Sequence, residues 1–461
     1  MNIASSPLHL MNLLGSVANV KTFARSLTSS LMQEKTFCPQ HYDVDPNTGC
    51  FPPEPLPQLP RPFSFWENAL AEVQGVLYLG NDESDEALDK REAGENWRAQ
   101  VRSWPVIETT VLHENIRYLQ KAHMVLAFIM HFYVHSTPPT EDNSPIHIPR
   151  AICVPLVAVS QALGTAPVLT FADTVLWNWT VINPELPLSA DNIRYVTLLS
   201  GTDAERAFYE VSGIVELKGV EMLQIIESFM LLPNTTDYAS VAKISRDLSQ
   251  LKKIVEELTD IFLSIRDAVD PKAFHWQCRP WWSGAPAPSS SQPEWIFEGV
   301  PKSATVDVSG PSAGQSTVMH ALDVFLDIDH RLAQKRQPAP SESNKKADTG
   351  FMERMRRYMP RLHREYLARI GDVPQSVREV ANATPTLREP YNAAVAALKR
   401  LRDVHIRIVT LYVVTMSHSA PPTDIKRKIQ EEGIARGTGG NEASSLLKAG
   451  RDATTRAMLK D

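Results

Sequence analysis

Hydrophobic positions recur at a helical period along most of the chain. From Tyr238 to Val269 they fall at Ile244, Leu248, Leu251, Ile254, Val255, Leu258 and Ile261. Steps of three and four residues are what the buried stripe of an amphipathic helix requires. The preceding Asn234-Thr235-Thr236-Asp237 offers side-chain oxygens to cap its first turn. In LRDVHIRIVTLYVVT (Leu401–Thr415), Val404, Ile408, Leu411 and Val414 share one helical face. The same patterning predicts helices over Ser64–Leu77, Ile107–Tyr133, Thr202–Leu231, Phe351–Tyr358, His363–Ile370, Gln375–Asn382, Glu389–Val414 and Asn441–Leu459. Ser160–Gly164 and Pro167–Trp179 flank a turn. Period-two alternation is scarce; ATVDVS (Ala304–Ser309) is the one clear candidate strand. The expected class is all-α.

A chain of 461 residues is longer than one helical core usually serves, so two domains are expected. The proline-rich, polar Pro184–Asn192 is the candidate linker. It separates a small helical domain, residues 42–199, from a large one, residues 200–461. Residues 1–41 are an extension. Gly284–Glu294 and Gln334–Gly350 read as low-complexity loops, the second mobile.

Composition narrows the function. Hydrophobic residues make up 43% and charged residues 22%, enough for a large core. The net charge of −6 is spread without a single-sign block, which argues against a nucleic-acid partner. The apolar run Met124–Met130 falls short of the ~20 residues that a membrane span needs. Cys38, Cys50, Cys153 and Cys278 form no CxxC pair and read as free thiols of a reducing compartment. Residues 1–33 hold no acid, several serines, Lys21 and Arg25, a loose likeness to a mitochondrial presequence. A cytoplasmic location is placed ahead of that alternative.

Five stretches could carry chemistry. GPSAG (Gly310–Gly314) matches the pattern that exposes a nucleophilic serine between strand and helix. Ser312 could then act with Asp329 and His405 or His418, but the parallel sheet of such hydrolases is missing. His131 and His135 lie one helical turn apart, as zinc ligands can, without a nameable third ligand; packing against a carbonyl is the commoner fate. ARGTGGNEASSLLK (Ala435–Lys448) is a glycine-rich turn into a helix start, favourable to anions or to a closing loop. DPKAFHWQCRPWWSGAP (Asp270–Pro286) gathers Phe274, Trp276, Trp281 and Trp282 around Arg279. That set suits a flat ligand with a carboxylate, or a core corner whose arginine meets an internal acid. The last is His405 itself, either a hydrogen-bonded core histidine or an axial ligand of a haem iron.

In order, these stretches resemble the indoleamine 2,3-dioxygenase family. The resemblance runs from YDVDPNTGCFPPEPLPQLP through FADTVLWNW, FYEVS, DPKAF, IFEGV, SGPSAGQST, DVFLDI, RRYMPRLHREYL and LRDVHIRIVT to GTGG. It implies an all-helical fold with a small domain and a larger haem domain, and haem b as cofactor, ferrous when active. His405 stands at the family's proximal ligand to the haem iron. Arg402 and Asp323 stand at the pair beside a haem propionate. Arg402 and His405 are three residues apart, so a helix presents both on nearly one face. Phe208 and Ser212 match the distal phenylalanine and serine. Phe274 and Arg279 match the residues that stack on the indole and bind the substrate carboxylate. Phe171, Thr174 and Val175 match the indole pocket; the family commonly has tyrosine and cysteine at the first two. Ser312 and Ala313 match a loop over the haem edge, where Pro311 replaces a usual glycine. Thr438 matches the threonine of a closing loop. The implied reaction is insertion of O2 into the indole of L-tryptophan or a related indoleamine, giving N-formylkynurenine, the first step of the kynurenine pathway toward NAD. The implied partners are the substrate, O2 and an unidentified reductant, with no nucleic acid or membrane, in a monomer. The alternative is a haem protein of the same fold that binds oxygen or another indole without efficient turnover of tryptophan.

Overall fold

The computed structural model describes residues 37–73, 75–286, 292–305, 307–422, 438 and 443–460. Gln40–Asp461 form one compact unit. The expected domain boundary at residue 200 falls between a short strand and the first of the long helices.

The first half is built on α1 (Ser64–Glu72), α2 (Arg91–Ser103), α3 (Ile116–His135) and α4 (Arg150–Leu163). Of the 20 residues of α3, 15 are buried, so this helix has no solvent face and the others pack around it. It starts nine residues later than its apolar pattern suggests, because Asn115 caps the Arg117 N–H (2.9 Å) and Thr110–Glu114 form a separate 3-10 turn. Gly164 ends α4 at φ 66°, a conformation that glycine adopts without strain.

The second half contains α5 (Asp203–Met230), α6 (Tyr238–Ala268), α7 (Thr317–Phe325), α8 (Glu342–Arg356), α9 (Arg361–Gly371), α10 (Val377–Ala383), α11 (Pro385–Val409) and α12 (Ala443–Ala457). The stripe read from the α6 sequence is buried, and α6 packs against both α5 and α11. Gly213 and Gly219, apparent breakers in α5, are close-approach sites. A side chain at the first would strike the Tyr195 hydroxyl, and one at the second would strike Val318 of α7.

Three π-helical turns interrupt the regular helices, at Ala172–Leu176, Phe274–Cys278 and Thr410–Thr415. Such turns concentrate at functional sites. The third divides the helix expected over Glu389–Val414. The few strands are short: β1 (Ile146–Ile148) pairs parallel with β4 (Trp295–Phe297), and β2 (Trp179–Val181) antiparallel with β3 (Ile193–Tyr195). The all-α expectation holds.

Two local expectations are corrected. The described residues of Ala304–Ser309 form no strand: Ala304 ends a 3-10 turn, and the Tyr358 hydroxyl donates to Asp307 (2.6 Å) and accepts from the Ser309 N–H (2.9 Å). A side chain occupies the place of a ladder partner there. Helix α8 also begins inside the loop expected over Gln334–Gly350. Its polar first turns carry no apolar signal in the sequence, and Phe351 and Met355, one turn apart, are buried toward its end. Among the described residues, no helix is long and apolar enough to cross a membrane.

Candidate functional site

His405 sits on α11 with its ring half-buried against the edge of Phe262 from α6, centroids 5.7 Å apart. Among the described residues, no hydrogen bond reaches either ring nitrogen. Every other buried or half-buried histidine there has one. His123 meets Asp173 and the Ala166 carbonyl, His131 the Trp281 carbonyl, His135 the Ser283 carbonyl, and His275 the backbone of Tyr412. His320 meets the Gly314 carbonyl, His330 the Asp323 carboxylate, and His363 the Thr317 hydroxyl and the Asp43 carbonyl. Burial, helped by the Arg402 charge, pushes the His405 ring down to about 4. It is therefore neutral near pH 7, with a lone pair free to bond to a metal. The residues fit a haem iron on this side: a half-buried, neutral imidazole with no hydrogen-bond partner among the described residues has a ring nitrogen free to bond it.

One turn earlier, Arg402 grips Asp323 of α7 through two contacts of 2.5 and 2.6 Å. His330 reaches the same carboxylate at 2.8 Å. Burial raises the Asp323 carboxyl, but the charges of Arg402 and His330 outweigh it and hold the group well below the usual carboxylate range. The remaining guanidinium donors reach the Gly450 carbonyl and the Thr454 hydroxyl on α12.

A cluster of aromatic rings forms beyond this helix. Phe208 of α5 and Phe274 of the second π turn lie 5.0 Å apart, and Trp282 packs on both at 5.1 and 5.4 Å. Phe274 meets Tyr412 edge-on at 5.5 Å, which joins the cluster to the π turn that continues from the His405 helix. Ser212 donates its hydroxyl back to the Phe208 carbonyl (2.8 Å), leaving its oxygen able to accept. Arg279 opens the short helical turn Arg279–Trp282 directly after the π turn. His131 and His135 fasten that turn to α3 by bonding the carbonyls of Trp281 (2.9 Å) and Ser283 (2.8 Å). They anchor backbone. Among the described residues, no group of three metal-ligating side chains exists.

Phe171, Thr174 and Val175 are buried at the first π turn. The Thr174 hydroxyl turns to the carbonyls of Thr170 and Phe171, so the residue presents its methyl face elsewhere. Gln315 accepts from the Phe171 N–H (2.8 Å) and donates to the Gly310 carbonyl (3.0 Å), which ties this wall to the 310–314 loop. In that loop Ser312 accepts from the Gly314 N–H (3.2 Å) and Ala313 is exposed. Thr438 docks there, donating to the Pro311 carbonyl and accepting from the Gly310 N–H. Residues 435–437 and 439–442, the rest of the glycine-rich stretch, lie outside the described residues.

The serine triad does not assemble among the described residues. Asp329 accepts from the N–H groups of Ala333 and Gln334, and His418 is exposed. Two site elements escaped the sequence reading. One is Trp282 as the ring that joins Phe208 to Phe274. The other is Asp173, fully buried, which holds His123 at 2.7 Å and the N–H and hydroxyl of Thr170 at the start of the pocket wall. Nothing local in FADTVL pairs Asp173 with a histidine 50 residues away.

A neutral imidazole with no partner among the described residues, on a helix beside a guanidinium fixed by a buried carboxylate, is compatible with a haem-binding helical protein. Comparison with known proteins narrows the class. The family described as indoleamine 2,3-dioxygenase matches residues 38–457, and the chain belongs to that family of haem-dependent dioxygenases, whose cofactor is haem b. It is 28% identical to indoleamine 2,3-dioxygenase 1 of Mus musculus over 422 residues, covering 91% of this chain and 95% of the relative. It is 27% identical to the 6-hydroxytryptophan 2,3-dioxygenase of Fusarium equiseti, covering 90% and 96%. It is also 29% identical to a myoglobin of Haliotis madaka, covering 81% and 90%.

Proposed function

We propose that this protein inserts O2 across the indole C2–C3 bond of L-tryptophan, giving N-formylkynurenine, the entry to the kynurenine route toward NAD. The observation that carries the reading is His405, the histidine of the core that bonds to nothing among the described residues. Its neutral ring would hold the iron of haem b, and Arg402 with Asp323 would meet a propionate. The haem, once reduced, supplies the oxygen chemistry. The protein contributes position. Phe208 and Phe274 hold the indole plane, Phe171, Thr174 and Val175 enclose its benzene edge, and Arg279 fixes the carboxylate as a charge-assisted pair. Ser212, one turn from Phe208, keeps its hydroxyl oxygen able to accept from the bound substrate, and Ser312, Ala313 and Thr438 close over the amino-acid end. A monomer in the cytoplasm, kept ferrous by a reductant, completes the proposal.

The second reading is reversible oxygen binding without turnover, which the relative named a myoglobin favours. An oxygen carrier has no need of an arginine that directly follows a π turn carrying part of an aromatic cluster, so the dioxygenase reading is preferred. The test is single: reduced, haem-loaded protein is given L-tryptophan and O2, and N-formylkynurenine is followed by its near-ultraviolet absorbance. Catalytic product establishes the activity. Oxygen uptake that reverses without product overturns it in favour of the carrier.

A further inference from the structure

Glu205 lies in the first turn of α5, three residues before Phe208, and is fully buried. It is not among the residues matched to substrate or haem. Five donors converge on its carboxyl. Oε1 accepts from the Leu199 N–H (2.9 Å), the Tyr209 hydroxyl (2.8 Å) and the Trp282 indole N–H (3.3 Å). Oε2 accepts from both the N–H and the hydroxyl of Ser200, each at 2.6 Å. The hydroxyls of Ser200 and Thr202 in turn reach the Cys278 sulfur at 3.7 and 3.3 Å. Thr202 also caps the Glu205 N–H (3.2 Å), which fixes the carboxyl at the positive end of the helix.

These contacts join three pieces of chain, two of which carry different parts of the site. One is the 199–202 connection. The second is the start of α5, with Phe208 and Ser212 on it. The third is the Phe274–Trp282 arm, gripped at both ends of the turn that bears Arg279, at Cys278 before it and Trp282 after it. Tyr209 and Trp282, both donors to the one oxygen, also stack at 5.8 Å with their planes 29° apart. A buried carboxyl with five donors and no cation among them is an expensive device, tolerable where it holds a geometry in place.

We infer that Glu205 is a positioning residue, which sets Arg279 and Phe274 at a fixed distance from Phe208 and so fixes where the carboxylate of an aromatic amino acid lies relative to its ring. The inference rests on the substrate reading above. Its test therefore includes a readout that does not need turnover. Glu205→Gln keeps the volume, but its amide NH2 must face the backbone N–H of either Leu199 or Ser200, whichever way it turns. The holoenzyme variant is expected to bind haem as before. Its KM for L-tryptophan should rise roughly tenfold while kcat stays within about twofold, because ground-state and transition-state binding are lost together. Amide hydrogen exchange over residues 274–283 should speed up by about the same factor, with α6 unchanged. If this variant does not fold, Tyr209→Phe, which deletes one donor and leaves the carboxyl, should move KM and exchange in the same direction by roughly two- to threefold.

An unchanged KM together with unchanged exchange at 274–283 would overturn the inference. So would exchange that rises equally throughout α6, which marks a general loss of stability. Wild-type protein inert toward tryptophan, with exchange at 274–283 still raised in the variant, would count against the substrate and for the positioning role.

Discussion

Replacing Asp323 by asparagine tests the charged pair beside the proposed haem site. The carboxyl is 3% exposed, and its partner Arg402 has a side chain 14% exposed. The substitution keeps the shape and removes the charge. Arg402 then retains the Gly450 carbonyl and the Thr454 hydroxyl, both neutral, for a guanidinium largely withdrawn from water. Breaking one side of a buried pair costs about 3–5 kcal/mol. With a urea slope of about 3 kcal/mol per M, the haem-free variant should unfold about 1 M earlier at pH 7. The pH dependence is a second check. Folding depresses the Asp323 carboxyl. Its contribution is therefore complete above the unfolded value of about 4 and is lost as pH falls toward the folded one. The gap between wild type and variant should narrow by about 1 kcal/mol between pH 5 and pH 3. The assay is urea unfolding of both proteins at the three pH values, followed by tryptophan fluorescence. Equal midpoints at pH 7, or a gap that stays constant down to pH 3, would refute the reasoning.

Two further outcomes follow from the same geometry. His405→Ala should abolish the Soret band while leaving the haem-free protein within about 1 kcal/mol of wild type, since the half-buried ring makes no hydrogen bond among the described residues; stable haem in that variant would refute the ligand assignment. Glu216 is pushed up to about 7 by burial, against one hydrogen bond from the Ser316 hydroxyl. Its folded value lies above the unfolded ~4.3, so wild type loses stability as pH rises between the two. Glu216→Gln should raise the melting temperature at pH 8.5, by the equivalent of about 3 kcal/mol, and far less at pH 4.5. A difference independent of pH would show that the carboxyl does not titrate there.

The amino-acid order alone determined the helical class, most helix positions, and the residues worth watching. Apolar spacing over Tyr238–Val269 and Leu401–Thr415 depends on neighbours three and four residues away, which is information the chain carries locally. The likeness to a haem-dependent family was legible for the same reason, in short motifs kept in order. Tertiary structure decided the rest. Local pattern could not say whether His405 was partnered, because its possible partners are distant in sequence; the same holds for His131 and His135, whose carbonyls lie about 150 residues away. It misread Ala304–Ser309 as a strand because strand identity needs a second strand, and the Tyr358 hydroxyl fills that place instead. Ser312 sits in a nucleophile-like motif, but among the described residues its hydroxyl meets the Gly314 N–H while Asp329 caps backbone N–H groups and His418 is exposed. Glu205 carried no signal at all: a glutamate in a first helical turn is commonplace, and only folding brings five donors to it. Helix formation is set by neighbours a turn apart, whereas partnership and chemistry are set by contacts that only the closed chain makes.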